Sequence, residues 1–254
     1  MWFSKLIVTA VALALVVVLY LLPKVVVDNE QLENAQVITD PESEQMSESH
    51  ERPLSDQELM AVGTLKDAFN AGENPEKSAI FADSLAGLFA GLNYLDSAAF
   101  YRGVAADIEP GMNRWLTAGE SYFEAYSFAV ESQKQQQLGA KARAYFDLAL
   151  DQDPNLSDAK AKSALTYLPQ QPMQAVLLLR EVVENDPENA LALYNLGLLS
   201  LQSQQFDKAV DRFKTLTTAH PDHLEGQFYL AVSYYENGQQ DEARDQFELV
   251  KTLD

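Results

Sequence analysis

Five prolines divide most of this chain at nearly regular intervals. They are Pro75, Pro110, Pro154, Pro187 and Pro221, so successive prolines lie 35, 44, 33 and 34 residues apart. A proline is tolerated at the first position of a helix, because its missing N–H group would have no partner there. We therefore expect each proline to begin a new helix pair, and the spacing predicts five consecutive pairs.

Small residues recur with the same period as the prolines. An alanine stands twelve residues before each of the last four prolines, and one more continues the series: Ala98, Ala142, Ala175, Ala209 and Ala243. A second series of small residues is expected on the other helix of each pair: Ala86, Gly119, Ala164, Gly197 and Ala231. Small side chains at fixed places let the two helices of a pair approach closely.

The residues between these marks resemble the tetratricopeptide repeat. The unit from Ala190 to His223 has that family's spacing of leucine, glycine, alanine, phenylalanine and proline: Leu193, Leu196, Gly197, Ala209, Phe213 and Pro221. The resemblance implies an all-α fold, a right-handed superhelix of antiparallel helix pairs, with about five pairs over residues 73–254. It weakens before Gly111, where Arg102 stands at the position of the family's phenylalanine.

One unit is longer than the others. The interval from Pro110 to Pro154 is 44 residues, and the surplus lies between Tyr122 and Ala142, around the polar segment 132–137. Three further helical turns would hold about eleven residues. The helix pair in this unit is therefore either taller than its neighbours or interrupted by a polar loop, and the sequence leaves both open.

A long apolar run follows the short amino-terminal tail of residues 1–5. From Leu6 to Leu22 the chain contains only Leu, Ile, Val, Ala, Thr and Tyr, between Lys5 and Lys24. At 1.5 Å per residue the run covers roughly 26 Å, close to the apolar thickness of a bilayer. No small-x-small cleavage site follows it. We therefore expect residues 6–23 to form an uncleaved transmembrane helix in the lipid bilayer.

The segment after this run is strongly acidic. Residues 24–54 contain eight acidic residues after Lys24 and few large apolar ones, so we expect a flexible, disordered acidic stalk. At residues 55–72 the Ser55 and Glu58 pair has the capping-box pattern, in which each side chain binds the other's exposed backbone amide. This pattern predicts a helix that covers the amino-terminal side of the repeats.

Composition and motifs exclude several classes of function. The net charge of −20 disfavours nucleic acid as a partner, because its phosphates are also negative. The chain has no cysteine and no glycine-rich phosphate loop or nucleophile motif. His220 and His223 flank a turn proline without a third candidate ligand, so we expect turn residues there and not a metal site. We expect no enzyme activity, no cofactor and no metal.

The resemblance also implies where a partner binds. In this family the first helices of the repeats line a concave groove. The residues expected to face it here are apolar or aromatic: Leu165, Leu168, Tyr194, Leu198, Leu201, Phe228, Val232 and Tyr235. Such a surface suits an amphipathic helix or an apolar peptide. Ordinary helix contacts are an alternative for any one of these positions.

Together these features suggest a single-pass, membrane-anchored scaffold that binds a protein or peptide partner in the bacterial cell envelope. We expect an inner-membrane location with the repeats in the periplasm. Two alternatives stay open: a receptor of the same fold that faces the cytosol on an organelle membrane, and a self-associating structural protein. In the last helix Arg244 and Lys251 replace Val210 and Thr217 of the preceding unit, so we expect this end to be its own polar cover.

Overall fold

The computed structural model of the protein describes residues 52–72 and 74–253. Within those ranges every regular element is an α-helix. The helices are α1 Asp56–Asn70, α2 Pro75–Gly91, α3 Leu95–Ile108, α4 Met112–Phe128, α5 Ser132–Gln152, α6 Ser157–Leu165, α7 Pro172–Asn185, α8 Ala190–Gln202, α9 Phe206–Ala219, α10 Leu224–Glu236 and α11 Gln240–Leu253.

Each helix packs against the next one in the chain, which gives five pairs after α1: α2–α3, α4–α5, α6–α7, α8–α9 and α10–α11. The first helices of neighbouring pairs also touch, because α4 contacts α6, α6 contacts α8, and α8 contacts α10. One layer of first helices therefore runs along the last four pairs. This arrangement is a helical repeat, and the core is a row of clusters between successive helices.

The first helix begins as the capping pattern predicts. The Ser55 hydroxyl accepts a hydrogen bond from the Glu58 amide, and the Glu58 carboxylate accepts one from the Ser55 amide. Arg52 forms an ion pair with the same carboxylate at 2.5 Å. These bonds occupy amide groups that the helix itself leaves without partners. Val62 is buried where α1 covers α2.

The small residues lie at the helix crossings. All members of both series are buried. A Cβ atom added at Gly119 would lie 2.7 Å from the Phe146 ring, and one added at Gly197 would lie 2.5 Å from the Phe213 ring. Both rings are fully buried. The glycines thus make room for an aromatic ring between the helices of a pair.

The expectation that each proline begins a helix is wrong for four of the five. Pro75 is at the first position of α2, but the other four lie two or three residues before the next helix. The residue before each is the end cap of the preceding helix, and all four caps have φ near −130° and ψ between 76° and 98°. A proline disfavours the helical conformation at the residue before it. These prolines therefore end one pair and do not start the next.

The longer unit is a taller helix pair. α4 has 17 residues and α5 has 21, compared with 13 and 14 for α8 and α9. The polar segment 132–137 forms the first turns of α5, so the alternative of a polar loop is wrong. Lys134 in these turns forms an ion pair with Asp96 of α3, which ties the added length to the neighbouring pair.

At the junction of the first two pairs, an ionic cluster occupies the place of an aromatic ring. Asp83 of α2 accepts hydrogen bonds from Arg102 of α3 at 2.7 Å and from Arg114 of α4 at 2.5 Å. Arg114 also binds Glu109 at 2.8 Å. Arg102 stands where three of the four later units have phenylalanine and one has Leu179, so its charge replaces apolar packing with ion pairs between three helices.

The turn inside several pairs needs an unusual backbone conformation. Asn93, Gln204 and Gly238 have φ values of 64°, 57° and 79°, and each lies in the turn between the two helices of a pair. Gln204 and Gly238 are equivalent residues, 34 positions apart. Glycine adopts this left-handed conformation without steric cost, whereas other residues do so less readily.

The predicted transmembrane helix at residues 6–23 and most of the predicted stalk at residues 24–54 lie outside the described residues. Among the helices between residues 52 and 253, none is both long enough and apolar enough to cross a bilayer.

Candidate partner-binding site

The eight predicted groove residues differ in how far they reach the surface. Leu165 is only 7% exposed and belongs to a core cluster with Leu179 and Val182. It is the last residue of α6, and its carbonyl accepts a hydrogen bond from the Tyr126 hydroxyl at 3.2 Å. Leu165 therefore cannot offer its side chain to a partner, which corrects the prediction for this residue. Leu168 lies in the turn after α6 and packs half-buried against the same cluster.

The three predicted residues on α8 are half-buried. Tyr194, Leu198 and Leu201 pack against the cluster around Phe213, so one side of each contributes to the core. The three on α10 are more accessible. Phe228 is 43% exposed, Tyr235 is 55% exposed, and Val232 is half-buried. Accessible apolar surface thus increases from α8 to α10, two first helices that lie in contact.

A cleft of about 410 Å³ crosses the amino-terminal half of α10. It brings together two of the predicted residues, Tyr194 of α8 and Phe228 of α10. The other lining residues are Leu224, Glu225, Tyr229, Val250 and Lys251. Sequence analysis missed these five. Leu224 is one helical turn before Phe228, and Val250 is the equivalent of the buried Leu216. Their positions in the repeat could therefore have predicted that they line the cleft.

Six rings form a continuous aromatic row beneath this cleft. Tyr194 is centred 6.1 Å from Phe213, 5.8 Å from Tyr229 and 5.3 Å from His223. The row continues from Tyr229 to Phe228 at 5.4 Å and from Phe228 to Phe247 at 5.9 Å. Contacts between offset or edge-to-face rings at these distances are favourable and fix ring orientation. The cleft is therefore lined by three helices, α8, α10 and α11, and Tyr194 and Tyr229 in its lining pack on the buried Phe213 of α9.

The charged groups of the cleft lie at its rim. The side chains of Glu225 and Lys251 are 68% and 67% exposed, and Lys251 pairs with Glu248 at 2.6 Å. Burial, followed by Tyr229 and Glu225, raises the pKa of Tyr194 above its ordinary value. An apolar floor with charges only at the rim can bind an apolar or amphipathic chain.

The two histidines near the cleft bind backbone groups. His223 Nδ1 accepts a hydrogen bond from the Gly226 amide at 3.0 Å and so caps α10. His220 Nε2 donates to the Glu188 carbonyl at 2.7 Å. Residues 52–253, where the structure describes them, contain no group of three His, Asp or Glu side chains placed to hold a metal ion.

A second, smaller cavity lies at the ionic junction near the amino-terminal end of the repeats. It has a volume of about 290 Å³ and is lined by Asp83, Arg102, Asn113, Arg114 and Thr117. Both arginines are already paired with carboxylates. The charged groups of this cavity are paired with one another or with Glu109, so its geometry favours a structural role.

Comparison with known proteins supports the repeat family. Tetratricopeptide repeat models match residues 178–211 and 198–254. A search of curated proteins finds no match.

Several solved structures share the fold. A MamA protein is 16% identical, with 69% of this chain and 91% of that chain covered and a TM-score of 0.52. A tetratricopeptide repeat protein from Parabacteroides merdae is 17% identical, with 77% and 73% covered and a TM-score of 0.55. A MamA RS-1 double mutant is 19% identical, with 69% and 93% covered and a TM-score of 0.53. At these identities the likeness concerns the fold alone. The spacing, the helix pairs and these matches support the tetratricopeptide repeat family, and the described part of this chain has an all-α, tetratricopeptide-like helical repeat fold.

Proposed function

We propose that this protein is a membrane-anchored scaffold that binds a protein or peptide partner through the last two helix pairs. The observation that carries the proposal is the accessible apolar surface of α8 and α10. Phe228, which lines the cleft, is 43% exposed, and Tyr235, seven residues further along α10, is 55% exposed. Exposed aromatic groups on a rigid surface commonly act as anchors in protein interfaces. The fold agrees, because a helical repeat offers extended surfaces for binding.

The surface favours an amphipathic helix or an apolar peptide as the partner. Leu198, Val232 and Phe228 offer aliphatic and aromatic contacts, and Glu225 and Lys251 carry opposite charges at the rim. The acidic balance of the whole chain disfavours nucleic acid. A scaffold of this kind needs no cofactor, and we propose no enzyme activity.

The binding experiment compares two double variants. Phe228→Ala with Tyr235→Ala removes two exposed rings, and we expect partner affinity to fall by roughly two to three orders of magnitude at about 2 kcal/mol per ring. Lys208→Ala with Lys214→Ala, on the exposed side of α9, is the matched control. Equal retention of the partner by both variants, with unchanged helical content, would exclude the surface of α8 and α10.

The membrane part of the proposal rests on residues 6–23. Their length and apolar composition suit an inner-membrane anchor, with the repeats in the periplasm of a bacterium. Because the chain lacks cysteine, single cysteines can report orientation. We expect an impermeant thiol reagent to label Ser43→Cys in intact cells and to leave Ser4→Cys unlabelled. The reverse pattern would place the repeats in the cytosol.

A further inference from the structure

The last helix pair, α10–α11, presents an aromatic surface that resembles one on the preceding pair, α8–α9. In the preceding pair that surface is covered by a helix. Phe228 and Phe247 meet edge to face, with ring centres 5.9 Å apart and planes at 65°. Their equivalents 34 positions earlier, Tyr194 and Phe213, meet at 6.1 Å and 75°. The pair α10–α11 therefore presents nearly the same aromatic surface as the pair α8–α9.

The earlier surface is covered by a helix. Tyr229 of α10 lies 5.8 Å from Tyr194 and 5.7 Å from Phe213, and Phe213 is fully buried. Three residues before Tyr229, Gly226 lies so close to Leu216 that an added Cβ atom would be 2.9 Å from it. Helix α10 therefore contacts α8–α9 through a small residue, Gly226, and an aromatic residue three positions later, Tyr229.

The later surface has no such cover among the described residues. Phe228 is 43% exposed, and Phe247 is half-buried. Val250, which corresponds to the fully buried Leu216, is half-buried and lines the cleft. Arg244 and Lys251 are exposed, as the sequence predicts for a polar end. These two charged residues flank the apolar surface of Phe228, Phe247 and Val250, which the prediction of a polar end did not include.

We propose that the face formed by Phe228, Phe247 and Val250 binds an amphipathic helix of a partner protein, in the place that the first helix of a following repeat would occupy. This face adjoins the interface between α8–α9 and α10 and has the same arrangement of rings. The way α10 packs on α8–α9 therefore indicates which residues the bound helix needs. The bound helix has a small residue against Val250 and an aromatic residue three positions later against Phe228 and Phe247.

Charge favours a partner over a second copy of this chain. The net charge of −20 makes two copies repel each other. Within the described ranges, Arg244 pairs with Asp241 and Lys251 with Glu248 of the same helix, in exposed contacts. Exposed pairs of this kind are weak. Acidic side chains on the bound helix can therefore replace Asp241 and Glu248 as partners of Arg244 and Lys251. Such ion pairs would fix the orientation of the bound helix.

This face shares Phe228 and the cleft with the surface of the proposed scaffold, so the inference rests on that proposed function and specifies the bound partner. Its test uses the chain's own helix α10 as the model for the bound helix. The probe is a fluorescent peptide of residues 220–239, and the protein is the full chain in detergent micelles. We expect saturable binding, weakened about tenfold or more by Phe247→Ala and by the charge reversal Arg244→Glu with Lys251→Glu. The charge reversal changes only exposed side chains, so we expect α11 to stay folded in that variant. It therefore still tests binding if Phe247→Ala unfolds α11.

Two controls complete the experiment. A peptide with Gly226→Leu and Tyr229→Ala should not bind, and Lys208→Ala with Lys214→Ala in the protein should leave binding of the normal peptide unchanged. Failure of the normal peptide to bind, or equal binding to the charge-reversed protein, would overturn the proposal. A dimer in sedimentation experiments that the charge reversal dissociates would overturn it in favour of a second copy. If Tyr235→Ala loses the partner but still binds the peptide, the partner also needs the groove residue Tyr235, whereas the peptide needs only this face.

Discussion

Replacement of Gly197 by alanine tests the helix crossing on which the repeat depends. The added Cβ atom would lie 2.5 Å, 2.7 Å and 2.8 Å from three atoms of the Phe213 ring. That ring is fully buried against Tyr194 and Tyr229, so it has little room to move. Overpacking of a core costs about 1 to 3 kcal/mol. Alanine is a better helix former than glycine by about 1 kcal/mol, so we expect a net loss of about 1 kcal/mol.

The matched control is Gly87→Ala in α2. No atom lies within 4 Å of a Cβ added there. The change should therefore give only the gain in helix propensity, about 1 kcal/mol. The two variants should differ by about 2 kcal/mol in guanidinium unfolding followed by circular dichroism.

A double variant identifies the ring as the cause. Leucine at position 213 is shorter than phenylalanine and lacks the ring atoms nearest to Gly197. Gly197→Ala should therefore cost less in a Phe213→Leu background, with a coupling of about 1 kcal/mol. Equal stabilisation by Gly197→Ala and Gly87→Ala would refute the close crossing, and zero coupling would show that Phe213 does not cause the cost.

Three further predictions follow from local contacts. Gln204→Gly removes a left-handed conformation from a non-glycine residue and should raise the free energy of unfolding by about 1 kcal/mol; an unchanged or lower value in guanidinium unfolding would count against the turn geometry. Asp83→Ala leaves Arg102 and Arg114 without their shared carboxylate and should cost about 1 to 3 kcal/mol; a thermal scan in which the variant melts with the wild type would contradict the ionic junction. The Arg52 side chain, followed by Ser55, lowers the pKa of Glu58 from 4.5 to about 2. Because this pKa is depressed, its stabilisation of α1 is complete above pH 4.5 and is lost as the pH falls towards 2. The protection factors of the α1 amides, which correct for the pH dependence of intrinsic exchange, should fall in that window, and this fall should be absent in Glu58→Gln.

The helix pairs could be predicted because the features that build them recur in the sequence. A helix crossing needs small side chains on both helices, so Gly197 and Ala209 stand at fixed distances from their equivalents. The capping box at Ser55 is a local pattern, and the structure confirms it. The taller pair was one of two open alternatives, because the polar residues at 132–137 suit an exposed helix as well as a loop.

The prolines show where local reasoning was incomplete. A proline suits the first helical position, but it also restricts the residue before it. Sequence spacing alone does not tell which effect operates. At Pro154, Pro187 and Pro221 the second effect ends the preceding helix.

The candidate site was predictable only in part. The family pattern predicted Phe228 and Tyr235 as groove residues, and their side chains are 43% and 55% exposed. Leu165 is buried in a core cluster with Leu179 and Val182, although its equivalent 33 positions later, Leu198, is half-buried. Val250 was missed because its exposure depends on whether a helix covers the last pair, which no single position in the sequence reveals.

Site-specific crosslinking in living cells is the most direct test of the claim that the last two helix pairs bind a partner. A photoreactive residue would replace Tyr235 on α10 in one variant and Lys214 on α9 in another. Both positions are exposed, and only Tyr235 belongs to the proposed surface. We predict a discrete adduct with one partner protein at position 235, lost when Phe228→Ala is added, and no such adduct at position 214. The same adducts at both positions, or an adduct at 235 that Phe228→Ala leaves unchanged, would contradict the account.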